Sequence, residues 1–235
     1  MADDRRVRPS HQVADHVRPH PRYPDAPQHE SLRGDPAAGL AAYVSAGLGA
    51  VAVGTLAVMY AVEVPRGGPF VFGRLNDVAG GLFYAATIPV IIQVHRRLPA
   101  TSASRAGLTT VVVGSGAAAV SGILLALQVI PFVPSTAVSM AGIVSQAAWA
   151  ALTQHRLLRR PGYPPRLARV GRAIGVAMLA ALPVVGLGFT LGRAPGLRAV
   201  VNVVGYGVGG LAYVSWPVWL FAVGRHLRGP IAGHV

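Results

Sequence analysis

From residue 38 onward the chain alternates between long apolar runs and short polar joints, and almost all of its remaining charge falls in the joints. Six runs stand out, at about 38–62, 76–94, 107–130, 135–153, 170–191 and 199–222. Each is close to the roughly 20 residues that cross a hydrocarbon core about 30 Å thick. The pattern predicts an all-α, polytopic transmembrane bundle of six spans. The third and fourth runs are separated only by PFVP at 131–134, where Pro131 and Pro134 supply the turn. Fused, the two runs would be far too long for one crossing.

Within the runs, small and weakly polar residues recur at a helical period. The second carries Asp77, Gly80, Gly81, Tyr84, Thr87, Ile88, Ile91 and His95 on one side. The third places Gly107, Gly114, Ser121 and Gln128 at intervals of seven, with Ala118 between. The fourth aligns Ser135, Ser139, Gly142, Gln146 and Thr153, and the sixth aligns Asn202, Gly205, Tyr206, Gly209, Tyr213 and Trp216. In lipid, small residues let backbones approach and hydroxyls and amides bond across helices, so these stripes predict helix–helix contact. A second reading makes Tyr84, Gln128, Gln146, Asn202 and Tyr213 the lining of a weakly polar internal path. Pro89, Pro183 and Pro217 would kink their helices and free carbonyls beside it.

Arginine distribution sets the orientation. With the N-terminus inside, the inner joints and inner helix ends hold Arg96, Arg97, Arg105, Arg156, Arg159, Arg160, Arg166, Arg169, Arg172, Arg225 and Arg228. The outer side holds Arg66, Arg74, Arg193 and Arg198. This asymmetry predicts both termini inside. The net charge of +13 is therefore an orientation signal and not a nucleic-acid footprint. Residues 1–36 differ in kind: six Arg, six Asp or Glu, four His and six Pro accompany hardly any aliphatic side chains, which predicts a disordered tail. His11, His16 and His20 lie there among prolines that would break any helix aligning them, so no metal site is read from them. Residues 227–235 read as a short inner tail.

The even-numbered runs end alike, in HRRLP at 95–99, HRLLRRP at 155–161 and RHLRGP at 225–230. GGLxY recurs at 80–84 and 209–213, each followed by a proline, Pro89 or Pro217. Three tandem helical hairpins would account for this, as would the common need of every even span to end in inner arginines.

Beyond residue 35 the only acids are Glu63 and Asp77. If the second helix starts at Asn76, Asp77 lies in its first turn at the outer interface. There Asn76 or Asp77 caps the helix, and Arg66 and Arg74 are near enough in sequence to balance Glu63 and Asp77. The competing reading is an outer-face site for an ion or proton, made of Glu63, Arg66, Arg74, Asn76 and Asp77. The joint 154–172 carries Arg156, Arg159, Arg160, Arg166, Arg169 and Arg172 with leucines between, which suits contact with anionic lipid. Trp149, Trp216 and Trp219 fall in the inner halves of their runs, as an interfacial belt would place them.

Catalytic patterns are missing from the sequence. There is no cysteine, no HExxH, no phosphate-cradling loop and no pair of acids inside a run. Ser115, in VGSGA, has no histidine within any run to activate it. His95, His155 and His226 all stand at inner ends, which disfavours a buried bis-histidine haem. All 21 basic residues being arginine, with abundant Ala, Gly, Val and Pro, fits a GC-rich bacterial genome. The expectation is a multi-pass protein of a bacterial plasma membrane without cofactor, metal or nucleic-acid partner. It would be non-enzymatic and structural, lipid-associated or regulatory, alone, as a homo-oligomer or with a membrane partner. A small transporter or channel-like carrier is the alternative, and a membrane-embedded enzyme the third.

Overall fold

The structure is a computed structural model that describes residues 35–190 and 195–229. Most of the tail read over 1–36 lies outside it, with His11, His16 and His20. The described residues form helices and turns with no strand. Six helices are long and apolar enough to cross a membrane. They are α1 (Pro36–Arg66), α2 (Val71–His95), α3 (Ser102–Ala126), α4 (Phe132–Leu157), α5 (Pro165–Thr190) and α6 (Pro195–Arg228).

The helices outrun the apolar runs because backbone hydrogen bonding continues into turns whose polar side chains reach water. Asp35 opens α1: its carboxylate accepts from the backbone N–H groups of Ala37 and Ala38, and Pro36 takes the first helical position. Proline suits that position because its missing N–H would have no intrahelical partner there. Residues 35 and 36, assigned to the tail from sequence, therefore belong to a helix start. α5 and α6 also begin on prolines, Pro165 and Pro195. α4 begins at Phe132, so Pro134, expected in the turn, sits within its first helical turn, where the ring is tolerated. α6 runs on to Arg228, which shortens the proposed C-terminal tail. α2 begins at Val71, well before Asn76, for a reason given below.

Each helix packs against the next along the chain, and α6 closes back on α1, making a ring. Short joints at 67–70, 96–101, 127–131 and 158–164 make neighbours antiparallel. One end of the ring thus collects the 96–101 and 158–164 joints, the start of α1 and the end of α6. It is also the arginine-rich end and the tightly packed one. Val90, Ile91, Val94, Leu157, Leu220, Val223 and Leu227 are almost inaccessible there. Toward the opposite end Val58, Tyr60, Phe70, Phe132, Val133 and Val203 are exposed. The tryptophans do not form a belt. Trp149, Trp216 and Trp219 are all buried between helices, and Trp219 Nε1–H donates to the Leu167 carbonyl at 3.0 Å.

Lipid tails are as apolar as leucine, so the ring is held by close packing and cross-helix hydrogen bonds. At the α2–α3 crossing, a Cβ on Gly122 would stand 2.9 Å from the Asp77 carbonyl oxygen, and one on Gly81 2.9 Å from that of Ala119. At α4–α5, a Cβ on Gly175 would meet the Ala147 oxygen and the Ala151 nitrogen at 2.6 Å each. The stripes read from sequence partly match these seams. Gly114, Ala118 and Ser121 face α4, and Ser121 Oγ–H donates to Ser135 Oγ at 3.0 Å. Gly107 and Gly80 meet nothing within 4 Å.

Backbone cannot move aside as a side-chain tip can. Gly175→Val should therefore cost about 2 kcal/mol or more of stability by overpacking. Gly80→Val should change it by less than about 0.5 kcal/mol. Thermal unfolding of the two variants in detergent tests this, and equal behaviour would refute the assigned seam.

Candidate functional site

Three places carry polar chemistry, and the sequence singled out two of them as clusters. The first is the Glu63 end. α1 loosens into a π-helical turn over Met59–Glu63, then ends at Gly67, whose φ of 69° is left-handed. Gly67 N–H bonds the Val64 carbonyl and Gly68 N–H that of Glu63, a paired closure that satisfies the last carbonyls. This geometry turns the Glu63 side chain inward, to 6% exposure. Its two oxygens accept from the backbone N–H groups of Phe72 and Gly73, at 2.9 and 3.1 Å. Those are the second and third residues of α2. Phe70, at the helix boundary, has no side chain that can cap, so a carboxylate from the preceding helix caps in its place, at the positive end of the dipole.

That arrangement corrects the sequence reading. Neither Asn76 nor Asp77 caps α2; both lie in its second turn and are half-buried. Arg66 and Arg74 are exposed, and the oxygens of Glu63 go to amides and not to a guanidinium. The five residues Glu63, Arg66, Arg74, Asn76 and Asp77 share one end of the ring, and none of them lines the central pocket or the groove between α5 and α6.

The second place is the centre of the ring. Tyr84, Gln146 and Tyr213 do come together, around a pocket also lined by Gly49, Trp216 and Pro217. Its volume is about 10 Å³, room for roughly one water. The polar atoms around it are largely taken. Gln146 Nε2–H donates to Ser115 Oγ at 2.9 Å, and Tyr84 O–H to the Ser139 carbonyl at 3.2 Å. Trp216 Nε1–H is buried without a partner. Ser115, the one residue that resembled a nucleophile, is thus an acceptor in a packing contact. Gln128 is elsewhere. It follows the end of α3 with φ 60°, exposed, and its N–H bonds the Leu125 carbonyl while that of Val129 bonds Leu124. It terminates a helix and does not line the central pocket. The Asn202 side chain lies outside the described part.

The third place was missed as a cluster. At the arginine-rich end, Arg97 Nη1–H donates to His226 Nε2 at 2.8 Å. The same guanidinium lies over the Tyr163 ring, 5.5 Å from its centroid, and Tyr163 meets the His226 ring edge to face at 5.5 Å. Gln154, fully buried, lies beside the Tyr163 hydroxyl, and neither group closes a hydrogen bond. Burial pushes the Tyr163 phenol up to about 12, opposed by the Gln154 amide and the Arg97 charge. Burial also draws Arg97 below the usual arginine value, with Tyr163 opposing. Close by, His95 Nε2 and Ser104 Oγ are 2.8 Å apart and tie the end of α2 to the start of α3. The signal was present as HRR, GYP and RH at three helix ends, but nothing in one sequence says that those ends meet.

The six lipid-candidate arginines, Arg156, Arg159, Arg160, Arg166, Arg169 and Arg172, are all exposed at this same end. The carboxylate described there, that of Asp35, accepts from its own helix. Among the described residues no three His, Asp or Glu side chains are placed to hold a metal ion. Comparison with protein-family models, with curated proteins and with solved structures finds no match to this chain.

Two tests follow from this geometry. Glu63→Ala leaves one buried and one part-buried amide without their acceptor and should cost about 1–3 kcal/mol, while Asp77→Asn should cost well under 1 kcal/mol. Chemical or thermal unfolding ranks them, and the reverse order would return the capping role to Asp77. For Tyr163, the raised folded value means that the neutral phenol is favoured by folding. Its contribution is complete below about pH 10 and is lost as pH climbs to about 12, at up to about 1.4 kcal/mol per pH unit. Tyr163→Phe should flatten that alkaline slope in pH-dependent unfolding curves.

Proposed function

We propose that this is a non-enzymatic, lipid-associated protein of a bacterial plasma membrane, with both termini in the cytoplasm and its arginine-rich end against the anionic inner leaflet. The observation that carries the reading is the contrast between centre and end. The centre is closed to about 10 Å³, with Gln146 and Tyr84 already bonded within the chain, while exposed arginines crowd one end beside a single carboxylate among the described residues, itself already in use. Function then resides on the outer surface: the basic end for lipid, and the helix faces for a second copy or another membrane protein. The arrangement in three tandem hairpins belongs to this proposal. It is supported by Tyr84 and Tyr213, from the two GGLxY stretches, meeting at one pocket.

A carrier for a small uncharged solute is the second reading. The unpartnered Trp216 Nε1–H beside the central pocket favours it, as a donor with no acceptor in the chain. The version built on Arg74 and Asp77 has no comparable support, because Asp77 does not line that pocket.

Reconstitution separates these readings. In vesicles containing phosphatidylglycerol the protein should unfold at a higher temperature than in phosphatidylcholine alone. The gain should shrink in high salt and when Arg156, Arg159, Arg160, Arg166, Arg169 and Arg172 are replaced by Gln. Equal stability in both lipids would sink the lipid-associated reading. Solute uptake that Gln146→Leu abolishes would install the carrier. A cysteine placed at Gly68 should label from outside and one at Ser102 should not; the opposite pattern inverts the orientation.

A further inference from the structure

The outer wall of the ring, between α5 and α6, carries a groove of about 750 Å³. Its sides are apolar and exposed along the helices, with Val170, Val214, Val218 and Phe221. Its floor is Trp219, fixed by donation to the Leu167 carbonyl, so the trough is held open by a buried ring and not by a mobile side chain. Its mouth lies at the arginine-rich end and is lined by Arg166, Arg225 and His226, the two arginines being exposed.

The chemistry of that mouth is one-sided. A guanidinium has donors only. Arg97 bonds His226 at Nε2, so Nε2 is the unprotonated nitrogen and the ring proton sits on Nδ1. His226 can therefore present only a donor to whatever enters. Arg97 is itself half-buried, with its Nε–H unpartnered, so a positive charge stands directly behind the imidazole. Three donors at the mouth face an apolar trough that runs along the span, and among the described residues none that lines either carries a carboxylate. A phosphate joined to an alkyl chain has the matching charge and shape.

We propose that the α5–α6 groove binds one anionic phospholipid, its phosphate held by Arg166, Arg225 and His226 and its acyl chain laid over Trp219. The proposal rests on the lipid-associated reading and narrows it to a single site. Arg97 is a positioning residue: it fixes the tautomer of His226 without touching the lipid.

The test is native mass spectrometry of the full-length protein in detergent, titrated with phosphatidylglycerol, with phosphatidylcholine of the same chains, and with inorganic phosphate. One phosphatidylglycerol should be retained in preference to phosphatidylcholine. Arg166→Gln with Arg225→Gln should weaken it about tenfold or more. Ser215→Trp should do the same by filling the trough. Ser215 is half-exposed on the outer wall, its hydroxyl bonded only to its own helix at Leu211, so the ring has room without disturbing the core. Circular dichroism checks that both variants remain folded. Arg96→Gln with Arg105→Gln removes equal charge from the same end, outside the groove, and should change binding by less than about twofold. If the groove variants bind as the parent does while the control pair loses affinity, the groove is wrong and a diffuse arginine rim is right. If no variant and no parent prefers the anionic lipid, both readings fall. If inorganic phosphate displaces the lipid and binds the Ser215→Trp variant undiminished, the mouth takes a soluble oxyanion and the lipid assignment is overturned.

Discussion

A backbone N–H or C=O left open in hydrocarbon costs several kcal/mol, because no water is present to take its place. The layout of this protein follows from how each helix end meets that requirement. Asp35 and Thr101 do it locally, each accepting from amides of the turn it precedes. Gly67 and Gln128 do it by left-handed closures that return two N–H groups to the last carbonyls of α1 and α3. α2 begins on a run of residues without a capping side chain, GPFVFG, and takes its cap from Glu63 on the helix before it. That one long-range contact fixes the α1–α2 turn and consumes one of the two acids beyond residue 35.

The sequence made the helices legible because bilayer thickness imposes a length that hydropathy can read. The helix ends were less legible, for a physical reason. Hydropathy records where a side chain is apolar, while helix ends are decided by where backbone groups find partners. Asn76 and Asp77 have the chemistry of a cap and sit at the start of an apolar run, so local reasoning put the helix start there. The carboxylate that does the work lies nine residues earlier than the first amide it accepts from. Such a contact has no local signature. Gln128 misled in the complementary way: at seven-residue spacing it continues a polar stripe, but a left-handed turn takes it out of the helix.

The interior shows what periodicity resolves and what it does not. The stripes read on α3 and α4 meet each other, with Ser121 bonded to Ser135 and Ala118 beside Gly142, although periodicity alone did not say which neighbour either face had. The two GGLxY stretches are subtler. In α2 the second glycine, Gly81, meets α3, and in α6 the first, Gly209, meets Ala181 of α5. α2 and α6 flank α1 from opposite sides, so their second neighbours lie in opposite directions around the ring, and the same short motif presents a different glycine to each. The tryptophans follow the same logic. Their positions along the spans suit an interface, yet their ring volume is used to fill the space between helices.

Charge gives the last constraint. Three helices start and three end at the arginine-rich face, so their dipoles, about half a charge at each terminus, largely cancel there. The carbonyls of the ending helices can accept some of the arginine N–H groups, but they are neutral and close to saturated by helix-end turns. The acids of the described chain are no help: Glu63 and Asp77 belong to the opposite end, and Asp35 holds its own first turn. What remains, among the described residues, is a face with a surplus of donors and positive charge that no described carboxylate neutralises. Arg97 makes the surplus most visible, since a half-buried guanidinium would ordinarily be matched by a carboxylate and here has an imidazole and a phenol ring. A solvated arginine needs no counter-charge, whereas one held between helices spreads its charge onto the polar groups packed against it, and here the imidazole and the ring face take that part. The arginine pattern from which the sequence predicts an orientation is thus, in the fold, a concentration of donors at one face of helix ends that the described acids do not balance.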